Sequence, residues 1–405
     1  MKFDSKLMQA LAVAALCASG GVQAQVSDDV VKIGVLTDLS NIYSDISGAG
    51  SVLAARMAIE DFSKDGTVLG KKIELISADH QNKADISANI AREWFDKEKV
   101  DAIFDLVSTN TALAAMEVAE QKNRITVVSG AASLPITNEK CTAVNVHWVY
   151  DTYALSVGTA QSLVKQGKKK WFFVTADYAF GAALERDASA VVVANGGTVV
   201  GAVKHPFPSS DFSSFLLKAQ ASGADVIALA NAGADTINSV KQAAEFGIMG
   251  SKQAVVPLLI FISDIHSLGL KSTQGMYVTE GFYWNLNDKT RAWSKRFFER
   301  HKRMPTMVHA GVYSSVLAYL KAVQVVKTDD TAKVMARLKS ETIDDGLFKG
   351  KILPNGKFKH DMLQMQVKSP DEAKSPWDYY KNVTVIPADI ATQPIEKSVC
   401  KLLKK

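Results

Sequence analysis

Residues 101–137 read DAIFDLVSTNTALAAMEVAEQKNRITVVSGAASLPIT, and this stretch decides the fold of the chain. Two short, mostly apolar runs, Ala102–Val107 and Ile125–Val128, enclose a segment with helical composition. Runs of this length without polar alternation are typical of buried parallel strands. The stretch therefore predicts a strand, a helix and a second strand of one open α/β sheet.

Small side chains follow both predicted strands. Ser108 and Thr109 come directly after the first run, and Ala131 and Ser133 stand in the small-residue segment after the second. Ligands of open α/β sheets bind beyond the carboxyl ends of the strands, where hydroxyl and N–H groups can hold an anion. Ordinary capping of turns by Ser and Thr would also explain these residues. The small residues after the two strands therefore have two interpretations, an anion-binding site or simple capped turns.

The rest of the chain repeats the alternation of strand and helix in two sets. The first set has further strand-like runs, at 31–39 and 72–78. After a break, the second set has strand-like runs at 171–176, 198–203, 225–230 and 255–262. Alternation at this pace predicts parallel sheets with helices on both faces. The remainder predicts a strand at 275–284, three helices within 288–340, a hairpin from 348 onward and an irregular tail from 370.

Composition narrows the class of protein. The chain has 405 residues, of which 47% are hydrophobic and 22% charged, and this suits two or three globular domains. The net charge of +5 comes from scattered basic residues. The one tight run before the tail, Lys168–Lys170, precedes a predicted strand and fits a solvated turn. No nucleic-acid partner is therefore expected.

The first 24 residues have the pattern of a secretory signal. A positive start is followed by an apolar core, Leu7–Cys17, and by a small-x-small cleavage pattern, Val22–Ala24. The core is too short to span a bilayer. Cys17 raises a lipoprotein alternative, which Leu16 disfavours because a small residue is wanted at that position. Residues 1–24 are thus predicted to be a signal peptide that is removed on export.

Two cysteines, Cys141 and Cys400, remain after the predicted cleavage. A pair of cysteines in an exported chain favours one disulfide bond, with two unpaired buried thiols as the alternative.

Motifs for cofactors, metals and catalysis fit poorly. Gly48 and Gly50 lie too far beyond the first strand for a dinucleotide fingerprint, whose third glycine position holds Leu53. Asp264 and His266 lack a third metal ligand. No nucleophile has a base at a motif spacing. The sequence therefore predicts no enzyme activity, no cofactor and no metal.

Aromatic residues gather at the predicted strand ends and segment junctions. They would line a pocket that is mostly apolar, although some of them can equally pack under loops. The residues are Tyr43, Trp148, Tyr150, Tyr178, Phe180, Tyr283 and Trp284.

With these features in place, the chain resembles the type I periplasmic solute-binding proteins of ABC importers, in the branched-chain amino acid-binding (Leu/Ile/Val-binding) family. The resemblance covers nearly all of residues 29–365. It rests on VKIGVLTDLS after residue 30, the loop 106–111, SGAASLPIT, DYAFG, NAGAD and FYWN.

The resemblance implies two Rossmann-like α/β lobes with parallel sheets, joined by three hinge crossovers. The crossovers are expected near 149–151, 280–284 and 345–348. Lobe 1 would then comprise 29–149 and 284–345, and lobe 2 would comprise 150–283 and 346–405. Ligand would bind in the cleft between the lobes, which close by a hinge motion.

The resemblance also implies roles for residues. Ser108, Ala131 and Ser133 would hold a ligand carboxylate, and an aromatic wall would fall on Tyr178 or Phe180, with strict alignment favouring Phe180. Asp264 is the nearest match to an acid that holds an ammonium group, but its surroundings, LLIFISDIHSLG, depart from the family pattern. The full predicted ligand-binding set is Tyr43, Ser108, Thr109, Ala131, Ser133, Trp148, Tyr150, Tyr178, Phe180, Asn231, Asp264 and Trp284.

The implied function is a periplasmic receptor that captures a small carboxylate and delivers it to an ABC permease in the inner membrane. An aromatic or bulky apolar carboxylate is the favoured ligand, and a branched-chain amino acid is the alternative. A ligand-sensing regulatory protein of the same fold is a rival class, against which the predicted signal peptide argues. A monomer without cofactor is expected.

Overall fold

The computed structural model of the protein describes residues 26–403, so the predicted signal peptide, residues 1–24, lies outside the described part. The strands are β1 Val30–Thr37, β2 Thr67–Val68, β3 Lys71–Asp79, β4 Ala102–Asp105, β5 Ile125–Val128, β6 Asn145–His147, β7 Lys170–Ala176, β8 Thr198–His205, β9 Val226–Ala230, β10 Ala254–Pro257, β11 Tyr277–Glu280, β12 Thr342–Asp344, β13 Lys349–Ile352, β14 Phe358–His360, β15 Met362–Val367 and β16 Tyr380–Ile386. The α-helices are α1 Gly48–Phe62, α2 Ala84–Glu93, α3 Thr109–Lys122, α4 Thr152–Lys165, α5 Ala179–Ala194, α6 Ser213–Ala221, α7 Ala234–Glu245, α8 Ile262–Leu268, α9 Leu270–Thr273, α10 Asp288–His301, α11 Met307–Val326, α12 Thr331–Ser340 and α13 Ala388–Ala391. Short turns of π-helix (Trp94–Glu98) and of 3-10 helix (Leu134–Thr137, Pro370–Glu372, Ile395–Lys397 and Lys401–Leu403) complete these elements.

Lobe 1 is built on a six-stranded sheet with the order β2-β3-β1-β4-β5-β6. All neighbours are parallel except the short β2, which pairs antiparallel with β3. The predicted strand–helix–strand unit of residues 101–137 is confirmed as β4, α3 and β5 in the middle of this sheet. Gly34 in β1 leaves room for the Trp94 ring, since an added Cβ would lie 2.4 Å from it. Helices therefore pack closely on the sheet.

Lobe 2 has a parallel sheet of order β10-β9-β7-β8 and an antiparallel sheet of order β11-β15-β16. Two local predictions are wrong here. The strand expected at 255–262 ends at Pro257, and the next helix begins at Ile262, so Ser263 and Asp264 are helical residues. The tail expected to be irregular contains β16, because it pairs with β15 and thus depends on a contact that local sequence does not reveal.

The crossovers meet around Val149. An added Cβ on Gly281, in the second crossover, would lie 2.7 Å from a Val149 methyl group, and one on Gly311 of α11 would lie 2.2 Å from the other. The Nε2 atom of His360 lies 2.5 Å from the Val149 carbonyl oxygen. The hinge is thus a packed junction in which small residues permit close approach of the crossing chains.

The segment expected to form the third crossover, residues 345–348, lies between two strands of one sheet, and we propose that the crossover lies at residue 361. Asp345 accepts hydrogen bonds from the N–H groups of Leu347 and Phe348, which makes this segment a tight turn between β12 and β13. Strands β12 to β14 form one sheet, and Lys357 bridges to His147 of the first sheet. We therefore propose that lobe 1 includes residues 284–360.

The tail returns to lobe 1 after β16. Cys400 forms a disulfide bond with Cys141, which confirms the predicted pairing. Asn138 donates to Gln393 Oε1 over 2.9 Å, and Lys401 Nζ lies 2.7 Å from Glu120 Oε1. Helix α13, just before these residues, packs on α4 of lobe 2. We propose that only the end of the tail, from about residue 393, belongs to lobe 1.

Candidate ligand-binding cleft

The carboxyl ends of both parallel sheets face each other across the interlobe cleft. The loops after β4, β5, β7 and β9 all reach this cleft. They enclose a cavity of about 10 Å³, room for roughly one water molecule, so the lobes are closed on each other. The cavity is lined by Tyr43, Ile46, Val107, Thr109, Gly130, Ala132, Tyr150, Tyr178, Phe180, Ala232 and Leu259.

Ser108 stands at the start of α3, between the cavity-lining residues Val107 and Thr109. Ser108 occupies the N-cap position, yet its side chain makes no capping bond. Its Oγ is buried and has no hydrogen-bond partner among the described residues. The first N–H groups of a helix have no partner within the helix, and they carry its positive dipole end. A free hydroxyl beside such N–H groups has the chemistry to hold a carboxylate.

Two hydroxyls link the loops that follow β4 and β5. Thr109 Oγ1 and Ser133 Oγ are 2.9 Å apart and both are buried. Ala131 is fully engaged, because its N–H donates to Leu106 O over 3.1 Å and its carbonyl oxygen lies 2.7 Å from His147 Nε2. The Ala131 backbone thus fixes the loop, and both its N–H group and its carbonyl oxygen are already hydrogen-bonded in this structure.

A buried acid that the sequence analysis missed secures the same region. Asp105, at the end of β4, accepts a hydrogen bond from Ser47, whose Oγ lies 2.7 Å from Thr37 Oγ1. Burial raises the pKa of Asp105 to about 6. The residue has φ +82°, and Leu106 follows at +56°, a left-handed conformation that few side chains adopt. In the sequence, the only sign of this buried acid is a single aspartate within the apolar run AIFDLV.

The loop after β1 is organised by Asp38. Its carboxylate accepts from the N–H groups of Asn41, over 2.8 Å, and Tyr43, over 2.9 Å, and from Asn82 Nδ2, over 2.6 Å. These bonds aim the Tyr43 side chain across the cleft, where its hydroxyl lies 2.5 Å from that of Tyr178. Tyr43 and Tyr178 thus close the cleft by contacting each other.

His309 anchors the other end of this loop. Its Nδ1 accepts from Thr306 N–H over 3.1 Å, and its Nε2 lies 2.8 Å from Ser47 O, so both bonds require the neutral ring with hydrogen on Nε2. Burial, with His301 as a lesser cause, lowers the pKa of His309 to about 3. The unfolded chain takes up this proton near pH 6.5 and the folded protein does not. Stability from His309 is therefore complete above pH 6.5 and is lost as the pH falls toward 3.

We expect His309→Gln to flatten the acid side of the stability curve. Between pH 6.5 and pH 5 the unmodified protein should lose about 1.6 kcal/mol more than the variant, since the slope rises from half of about 1.4 kcal/mol per pH unit at pH 6.5 to nearly the full value at pH 5. Urea unfolding of both proteins at several pH values measures this difference. Parallel curves would show that His309 is protonated in the folded protein as readily as in the unfolded one.

Two predicted aromatic contacts lie away from the cavity. Trp148 stacks on Phe358 at 4.5 Å between ring centres and donates to Ser314 Oγ over 3.1 Å, so it belongs to the core behind the hinge. Trp284 donates from Nε1 to Trp377 O over 2.8 Å and packs in lobe 2. The location of each tryptophan is set by contacts with residues that lie far away in the sequence.

Two predicted polar contacts of lobe 2 also lie behind the cavity wall. Asn231 is fully buried and exchanges hydrogen bonds with His205, Thr236 and Ser239. Asp264 caps α8, because its Oδ2 accepts from the Phe261 N–H over 2.9 Å. Burial raises the pKa of Asp264 to about 7. The structure thus brings together Tyr43, Thr109, Tyr150, Tyr178 and Phe180 at the cavity, with Ser108 and Ser133 beside it.

The described residues contain no group of three or more His, Cys, Asp or Glu side chains able to hold a metal ion. His266, once paired with Asp264 as a candidate, stacks on Trp377 at 3.9 Å and bonds to Tyr379 OH over 2.7 Å. Within residues 26–403, no helix combines the length and the apolar character needed to cross a membrane.

Two α/β lobes that close over a polar helix start define a clamshell-type ligand-binding protein. The chain belongs to the periplasmic binding protein family, whose model matches residues 30–374. This confirms the family resemblance and the two-lobed fold predicted from the sequence. A curated relative, the Leu/Ile/Val-binding protein homolog 6 of Brucella melitensis, is 30% identical over 250 residues, which is 60% of each chain. The match thus spans less than two thirds of that relative.

Solved structures resemble this chain over a larger share of its length. A periplasmic binding protein from Burkholderia mallei is 50% identical with a TM-score of 0.91, covering 93% of this chain and all of that one. A branched-chain amino acid ABC transporter periplasmic ligand-binding protein from Burkholderia xenovorans LB400 is 40% identical with a TM-score of 0.83, covering 92% of this chain and all of that one. A Rhodopseudomonas palustris BisB5 solute-binding protein in complex with 3,4-dihydroxybenzoic acid shares the fold at 22% identity and a TM-score of 0.79, covering 89% and 98%.

Proposed function

We propose that this protein is a periplasmic receptor that captures a small carboxylate in the interlobe cleft and delivers it to an ABC permease. The observation that carries the proposal is the unpaired, buried hydroxyl of Ser108 at the start of α3. A carboxylate there would accept from this hydroxyl and from first-turn N–H groups. The proposal includes no catalytic step.

An aromatic or bulky apolar carboxylate suits the walls of the cleft. Tyr150 and Phe180 line the cavity together with Val107 and Leu259, and Tyr150 is fixed by donating to Gly130 O over 2.6 Å. Rings packed in such a slot gain about 0.5–1.5 kcal/mol beyond burial. Since the cavity is small in the closed form, binding requires the lobes to separate and then to close around the ligand.

The acid needed for an amino acid is poorly placed. Asp264 does not line the cavity, and its pKa, raised to about 7 by burial, leaves about half of these groups neutral at pH 7, which makes a weaker partner for an ammonium group. A branched-chain amino acid is the alternative ligand, because two similar proteins are named for such ligands.

Calorimetry against benzoate, 4-hydroxybenzoate and leucine tests the ligand class. We expect the aromatic acids to bind and leucine to bind at least tenfold more weakly. Asp264→Asn should change 4-hydroxybenzoate affinity only mildly, since Asp264 does not line the cavity. Tight leucine binding that disappears in Asp264→Asn would instead establish the amino acid reading.

The proposal extends to export. Cleavage after Ala24 would give a mature chain that starts at Gln25, and intact-mass measurement of protein from the periplasmic fraction checks this. A cytoplasmic protein that retains residues 1–24 would favour the rival class, a ligand sensor of the same fold.

A further inference from the structure

The loop after β1 touches lobe 2 at an aromatic platform. Tyr178 and Phe207 stack with ring centres 4.0 Å apart and planes 16° apart, and both lie in lobe 2. Tyr43 reaches over from lobe 1 and stacks on Phe207 at 6.0 Å, while its hydroxyl meets that of Tyr178. Phe207 does not line the cavity. Its contacts with the Tyr43 and Tyr178 rings therefore serve to close the lobes.

Gly233 provides a second contact for the same loop. It precedes α7 in lobe 2 and has φ +61°. A Cβ added there would lie 2.6 Å from Ile42 O and 2.9 Å from the Tyr43 ring. The absence of a side chain at this residue therefore lets the loop of lobe 1 seat against lobe 2.

We propose that Phe207 and Gly233 are positioning residues that, with Tyr43 and Tyr178, form an interlobe latch at the mouth of the cleft. The inference deepens the proposed function, because the latch would set how slowly a captured ligand leaves. These contacts join the two lobes and exist only when they are closed, so they favour the closed form. Stacking of this kind corresponds to a shift of about threefold to tenfold in the ratio of closed to open protein.

Interlobe distances in the protein without added ligand test the latch directly. Spin labels on Glu117→Cys in lobe 1 and Lys218→Cys in lobe 2 use exposed positions outside the cleft and the hinge. Phe207→Leu and Gly233→Ala should each raise the population with longer distances. Identical distance distributions in these variants and in the unmodified protein would overturn the proposal.

Two control variants separate the latch from general damage. Phe246→Leu removes an exposed ring of lobe 2. Gly223→Ala adds a methyl group at a similar φ of +67°, where a new Cβ would meet nothing within 4 Å. Both controls should keep the distances of the unmodified protein. Controls that open as far as Phe207→Leu and Gly233→Ala would also overturn the latch.

Kinetics with 4-hydroxybenzoate provide the second readout. Phe207→Leu should speed dissociation about threefold to tenfold, because the latch must open before the ligand leaves. Association should not slow, since a weaker latch leaves more of the free protein open for the ligand to enter. An unchanged dissociation rate would contradict the latch. If 4-hydroxybenzoate fails to bind the unmodified protein, the proposed ligand class fails, and the distance measurement still decides the latch.

Discussion

Ser108→Ala is expected to weaken binding of benzoate or 4-hydroxybenzoate by about 1.5–3 kcal/mol, which is a factor of roughly 10 to 150. The hydroxyl is buried and unpaired among the described residues, so its removal costs the folded protein no existing hydrogen bond. A charged carboxylate would lose one of its donors. Titration calorimetry measures the change, and urea unfolding should find the stability of the ligand-free protein nearly unaltered.

Ser315→Ala is the matched control for this prediction. Ser315 is also a buried serine, but its Oγ donates to Val312 O over 3.1 Å within α11. It should lower stability slightly and leave affinity unchanged. Ser133→Ala should weaken binding less than Ser108→Ala, because the Ser133 hydroxyl is already bonded to Thr109. Equal affinities in Ser108→Ala and unmodified protein would remove the carboxylate from this end of the cleft.

Loss of the Cys141–Cys400 disulfide is expected to lower the free energy of unfolding by about 2–5 kcal/mol. The bond closes a loop with a sequence separation of 259 residues, and long loops restrict the unfolded chain most. Denaturant titration of the Cys141→Ser, Cys400→Ser double variant against the unmodified mature protein measures the loss.

A reductant provides the internal control for the disulfide. It should destabilise the unmodified protein as much as the double substitution does, and it should leave the double variant unchanged. Denatured, unreduced mature protein should contain no free thiol. Two titratable thiols per chain would show that the bond does not form.

The sheet cores and the polar end of the cleft were readable from the sequence. The apolar run around Phe104 predicts a buried strand, and the small residues from Ser129 onward predict the end of one. Both predictions use only neighbouring residues in the sequence. Ser108 was accordingly predicted from its position at the end of a strand.

Features that depend on distant partners were not readable. The hairpin of β13 and β14 looks the same in sequence whichever sheet it joins, so the position of the third crossover depends on a pairing that local sequence does not reveal. The contacts of Trp148 and Trp284 are not visible in the sequence, because their partners, Phe358 and Trp377, lie far along the chain. Phe207 gave no signal, since its importance comes from Tyr43 of the other lobe.

The return of the tail to lobe 1 decides where an optical sensor could be built. Ser27 bonds to Asp329 of lobe 1 over 2.8 Å, and Lys401 pairs with Glu120 of the same lobe. Fluorophores attached beside Ser27 and Lys401 would therefore travel together as the cleft opens and report no change in energy transfer. A responsive sensor needs one fluorophore inside the second lobe, for example at the exposed Lys218.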